Sequence, residues 1–82
     1  MFTNLLASLK TTIQSEIGKV PELENLDSQM AKMYLRMNIL PSINDPTALE
    51  MQAKMLSPNF SMSDESKTKV IRLLTAMCEL LQ

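Results

Sequence analysis

The segment Leu40-Pro41-Ser42-Ile43-Asn44-Asp45-Pro46 divides the chain into two nearly equal halves, each with helical periodicity. Two prolines and three polar turn formers exclude one helix running through it, because proline lacks the N–H and clashes with the preceding turn. Asp45-Pro46 also reads as a helix start, an N-cap followed by a residue preset for the first helical position. Pro41, Ser42, Asp45 and Pro46 therefore form a central turn that decides how the two halves face each other.

The stretches on either side predict an all-α chain of four helical segments, at about residues 4–18, 22–38, 46–56 and 64–82. In the first, Leu5, Leu9, Ile13 and Ile17 recur every four residues with Leu6 beside them, and Thr3 or Asn4 is the expected cap. Gly18 is expected to stop this helix in the left-handed region, and Pro21 bars continuation. The second stripe is Leu23, Leu26, Met30, Met33, Tyr34 and Met37, with polar residues between Asn25 and Ser28. Ala48, Leu49, Gln52, Ala53 and Leu56 share a face of the third segment, with Met51 and Met55 adjacent. Pro58 ends it, and residues 57–62 form a loop anchored by Phe60. Ser63 caps the last segment, and Asp64 and Glu65 follow at its positive end.

The last segment carries Val70, Leu74, Met77 and Leu81, spaced four, three and four like a coiled-coil seam. Ile71, Leu73, Cys78 and Leu80 widen that seam well beyond one stripe. A helix so apolar has to be surrounded, by the rest of a small bundle or by copies of itself. Val70, Ile71, Leu74, Met77 and Leu81 are thus one candidate protein interface. The row Met30, Met33 and Met37 is a second, since unbranched thioethers adapt to a partner as readily as they fill a core.

Composition narrows the function classes. At 82 residues the chain is one domain, and a single glycine leaves little scope for hairpins or phosphate loops. Eight basic and nine acidic residues give a net charge of −1, which supplies no counterion-release drive toward nucleic acid. With no histidine and one cysteine, neither a disulfide framework nor a Cys/His zinc site is expected, and the commonest general base is missing. The carboxylates fall mostly in helix first turns, where capping explains them. No catalytic residues, cofactor or small-molecule substrate are expected. Cys78 reads as a small buried hydrophobe. Lys67, Lys69 and Arg72 read as a solvated face. The N-terminus lacks a charged region followed by an apolar run, so no cleaved signal peptide is expected. No segment approaches the ~18 consecutive apolar residues of a membrane span.

From Asn25 onward the chain resembles the needle subunits of bacterial type III secretion systems, small helical hairpins with Pro-Ser and Asp-Pro in the central turn. Pro41-Ser42 and Asp45-Pro46 match that pattern, Asn25-Leu26 and Gln29 precede it, and Leu49, Gln52 and Lys54 follow it. Ser66, Thr68, Lys69, Val70, Ile71 and Arg72 resemble the family's C-terminal segment. The turn is longer by Ile43-Asn44, and Pro58 interrupts the long second helix. The resemblance, shared with the related inner-rod subunits, implies self-assembly into a hollow filament with the last helix lining the bore. It also implies export by a dedicated secretion system. Length, Ile39-Leu40, a helix from Ala48 to Ser57 and the Leu81-Gln82 end are similar to the small helical cofactor of coronavirus polymerases. That second resemblance implies a monomeric adaptor docking one protein partner, although the family's N-terminal Lys-Cys run is missing. Both resemblances imply a non-catalytic protein–protein interaction subunit.

Overall fold

Helix α1, Phe2–Ile17, is built on the predicted stripe: Leu6, Leu9 and Ile13 are buried, and Leu5 and Ile17 pack partly buried against them. The computed structural model describes residues 1–55 and 63–81, with the side chains of 53–55 left aside. Thr12 joins the buried face because its hydroxyl donates to the Ser8 carbonyl at 2.8 Å, which satisfies its polar atom inside the helix. The start differs from expectation. Neither Thr3 nor Asn4 caps α1; both lie within it, and Met1 is the N-cap residue without a side-chain bond. At the other end Gly18 has a positive φ, 85°, as expected, but its ψ of −172° is extended rather than left-handed helical. That region is essentially reserved for glycine.

The expected helix over 22–38 is broken in two. Pro21–Glu24 forms the single turn α2, and Ser28–Tyr34 forms α3. Asp27 lies between them, extended, and its Oδ1 accepts the Met30 N–H at 2.8 Å as an N-cap. An Asx residue that caps must leave helical backbone geometry, so after α2 ends at its C-cap Asn25 the extended Asp27 keeps α3 from continuing it. The break resets the helical register. The buried row is Leu23, Ala31, Leu35 and Ile39, and Met30, Met33 and Met37 of the expected stripe face outward.

Beyond α3 the chain stays helical to Ser42, four residues past the predicted end, as a π turn, Leu35–Ile39, and a 3-10 turn, Leu40–Ser42. Residues four apart overshoot an α turn, and the wider π turn brings Ile39 back into line with Ala31 and Leu35. The Asn38 side-chain amide donates to the Tyr34 carbonyl at the start of the π turn, at 3.3 Å. The central turn is thus a 3-10 turn closed by Ile43 N–H to the Leu40 carbonyl at 3.2 Å. A second turn follows, with Asp45 N–H donating to the Ser42 carbonyl at 2.9 Å. Asp45 then caps α4, Pro46–Met55, its Oδ1 accepting the Ala48 N–H at 3.2 Å. Leu49 is buried on the predicted face of α4. The predicted last residue of this segment, Leu56, the loop over 57–62 with Pro58 and Phe60, and Gln82 lie outside the described residues.

Helix α5 is Asp64–Leu81. It packs along α1 more extensively than any other pair of elements, and the π turn and α4 also lie against it. Glu16, in the last turn of α1, reaches Ser63 and Ser66 at the start of α5, so the two helices run antiparallel. The largest fully buried side chains are Ile13, Leu35, Ile39, Val70, Leu74, Met77 and Cys78. Each such side chain contributes roughly 1.5–3 kcal/mol by leaving water. They come from α1, the π turn with its first residue, and α5, so these three elements enclose the core and α2 and α4 flank it. A continuous helix over 46–81 would be ~54 Å long at ~1.5 Å per residue. The longest dimension of the fold is 31 Å. The second half therefore turns back on itself, and the chain closes as a small all-α bundle.

Candidate functional site

The two candidate interfaces fare differently once the chain is folded. Val70, Leu74 and Met77 are at most 1% exposed, covered by α1 and the π turn of their own chain. Ile71 and Leu81 are partly buried against the same core. The seam is the interior of one chain, the first of the two ways in which so wide an apolar face is covered. Among its neighbours on α5, Leu80 stands out at 46% exposure.

Met30, Met33 and Met37 are 54, 59 and 72% exposed. They follow one another at spacings of three and four on the face of α3 and the π turn opposite Ala31, Leu35 and Ile39. Residues so spaced are neighbours on a helix surface. The core reading of this row is thus overturned: the register set by Asp27 turns Ala31 inward and the methionines outward. Met51 of α4 is also 63% exposed. Apolar residues scattered singly over a surface require no explanation, whereas a row of unbranched apolar side chains on one helix face does.

The row carries cations along its own stretch, with the Asp27 cap at its Met30 end. Residues 28–44 include Lys32 and Arg36 and no Asp or Glu, in a chain of net charge −1. Lys32 is half-buried, its ammonium 5.4 Å from the centroid of the Phe2 ring, a cation–π contact joining α3 to the start of α1. Arg36 is exposed, one residue before Met37 and three after Met33, with no ion pair among the described residues. Tyr34 flanks the row. Burial raises its pKa above the ordinary tyrosine value, and its hydroxyl has no hydrogen-bond partner among the described residues. Burial likewise pushes the Cys78 thiol up, which keeps it protonated and unreactive.

An open groove of about 290 Å³ lies between α1 and the α2–α3 connection, lined in part by Thr3, Lys10, Asp27 and Ser28. Its polar groups are engaged within the chain. Lys10 donates to the Glu24 carbonyl at 3.3 Å, Asp27 caps α3, and the Thr3 and Ser28 hydroxyls are 3.4 Å apart. Those bonds tie α1 to the second segment, so the groove is a seam of the fold. Among the described residues no three or more Asp, Glu, Cys or His side chains are grouped to hold a metal ion. No helix among them is long and apolar enough to cross a membrane. Comparison with protein-family models, curated proteins and solved structures finds no match to the chain.

The central-turn residues act as joints rather than as a site. Pro41 is the middle residue of the 3-10 turn, the Ser42 hydroxyl donates to the Asn38 carbonyl at 3.4 Å, and Asp45-Pro46 starts α4. Sequence reasoning missed two devices, one local and one not. One is the Asp27 cap, legible as an Asx residue three positions ahead of Met30. The other is the Glu16 contact with the start of α5, which no local pattern announces.

Proposed function

We propose that this chain is a non-catalytic helical subunit that docks a protein partner through the Met30–Met33–Met37 face. The observation that carries the reading is the exposure of all three thioethers on a helix whose opposite face is fully buried. A protein surface that holds long, flexible, polarizable apolar chains in a row gains by covering them, and such chains repack around varied partners. The similarity to the small helical cofactor of coronavirus polymerases points to the same kind of role, one chain docking one protein.

The self-assembling reading, a needle-like secretion component, rests on the Pro41–Pro46 pattern and the C-terminal segment. It requires copies to share Val70, Leu74 and Met77, whose side chains are enclosed by their own α1 and π turn. Polymerisation would therefore begin with separation of α1 from α5.

Site-specific photocrosslinking in cells that make the protein tests the proposal. A photoreactive residue at position 33 is expected to capture a different polypeptide, and one at position 68, exposed on α5, is not. Crosslinks from position 33 only to second copies, or equal capture from both positions, would contradict it.

A further inference from the structure

We infer that the partner segment for the methionine face is an amphipathic helix of another protein that carries carboxylates beside its apolar row. This rests on the docking reading above and adds the chemistry of the occupant. The spacing of Met30, Met33 and Met37 is that of a helix edge, and helix-on-helix docking uses anchors at i, i+3 or i+4, and i+7. Past the Asp27 cap, whose carboxylate is engaged with the Met30 N–H, the charge along the row is one-sided. Lys32 and Arg36 border the row, and no acidic residue occurs between Ser28 and Asn44 to neutralise them. Lys32 is partly occupied by the Phe2 ring, which leaves Arg36 as the exposed fork beside Met33 and Met37. Guanidinium forks pair bidentately with carboxylates, so a Glu or Asp flanking the partner's apolar residues fits here.

Two other occupants fit less well. A second copy packed antiparallel about a two-fold axis at Met33 would bring Arg36 opposite Met30, where the nearest carboxylate along the helix, Asp27, is already engaged in capping α3. A membrane-surface helix uses a strongly basic polar face with bulky apolar or aromatic residues, whereas this face offers two cations, three thioethers and no Trp.

The test is a selection on the intact chain from a displayed library of amphipathic helices. Leu is fixed along one face, and the flanking positions vary among Glu, Gln and Lys. Parallel selections use the Met33→Ser/Met37→Ser double variant and Arg36→Gln, with circular dichroism verifying that both keep the fold. The selected pool is expected to be rich in Glu at the flanks. Its members should lose about tenfold in affinity on the double variant, as truncated apolar anchors do. On Arg36→Gln they should lose about threefold, and added salt should weaken them on the wild type. A pool without charge preference, or rich in Lys, that still depends on Met33 and Met37 overturns the acidic partner and leaves the docking reading standing. Binding that survives the double variant, or no binders at all, overturns both. Tighter binding to phosphatidylserine vesicles than to any selected helix assigns the face to membrane. Dimerisation abolished by the double variant assigns it to a second copy, and either result overturns the inference.

Discussion

Glu16 Oε1 accepts the Ser66 hydroxyl at 2.6 Å and the Ser63 hydroxyl at 2.9 Å, fastening the end of α1 to the start of α5. Ser63 in turn accepts the Ser66 N–H at 3.2 Å, so a carboxylate from one helix supports the N-cap of the other. The negative charge also lies at the positive end of the α5 dipole. These hydrogen bonds, that from Ser66 first, hold the Glu16 carboxyl below its ordinary value of 4.5.

The pH dependence follows from that direction. A carboxyl whose folded-state pKa is depressed stabilises the fold while ionised. Its contribution is complete above the unfolded-state value and is lost as pH falls through the lower folded-state value. Thermal melts of the wild type are expected to lose stability in this acid window, and Glu16→Gln is expected to be less stable at neutral pH with a shallower decline. Equal slopes would detach Glu16 from the stability of the fold.

Replacing Leu74 by Ala removes a side chain that is 1% exposed at the contact of α5 with the core. Denaturant titration is expected to show a loss of about 2–5 kcal/mol, the range for buried leucines. Met33→Ser is expected to change stability by no more than about 0.5 kcal/mol, as surface substitutions do. The contrast separates core from docking face without reference to any partner.

Asp27→Ala and Asp45→Ala each remove a side-chain cap, on α3 and α4 respectively. Each is expected to cost about 1 kcal/mol in the same titration. Hydrogen exchange should quicken locally, at Met30 in the first variant and at Ala48 in the second.

Peroxide titration with peptide mapping reads thioether exposure directly. Met30, Met33, Met37 and Met51 are expected to become sulfoxides while Met77, fully buried, stays reduced until the chain unfolds. The Cys78 thiol should likewise resist alkylation in the folded protein, being buried with its pKa raised.

Much of this architecture was legible because helical periodicity and proline placement act locally. The α1 stripe and the apolar face of α5 followed from spacing, and the start of α4 from the capping chemistry of Asp45-Pro46. The register after Asn25 did not. Pro21 through Ile39 holds two apolar rows, one through the methionines and one through Ala31, Leu35 and Ile39. A count of hydrophobic residues favours the first. Asp27 selects the second by starting α3 afresh after α2 has ended at Glu24, and the π turn keeps Ile39 in line with it. The width of the α5 seam was also readable, but whether α1 or another copy covers it depends on tertiary packing. The Glu16–Ser66 contact spans fifty residues of sequence and has no local signature.

The central claim is that α5 buries its seam within its own chain, leaving the methionine row for a different protein. Sedimentation velocity of the purified chain over a wide concentration series tests it most directly. A single monomeric boundary at every concentration is the predicted result. Concentration-dependent polymers would contradict the account, above all if Val70→Asp or Leu74→Asp abolished them while leaving a folded monomer.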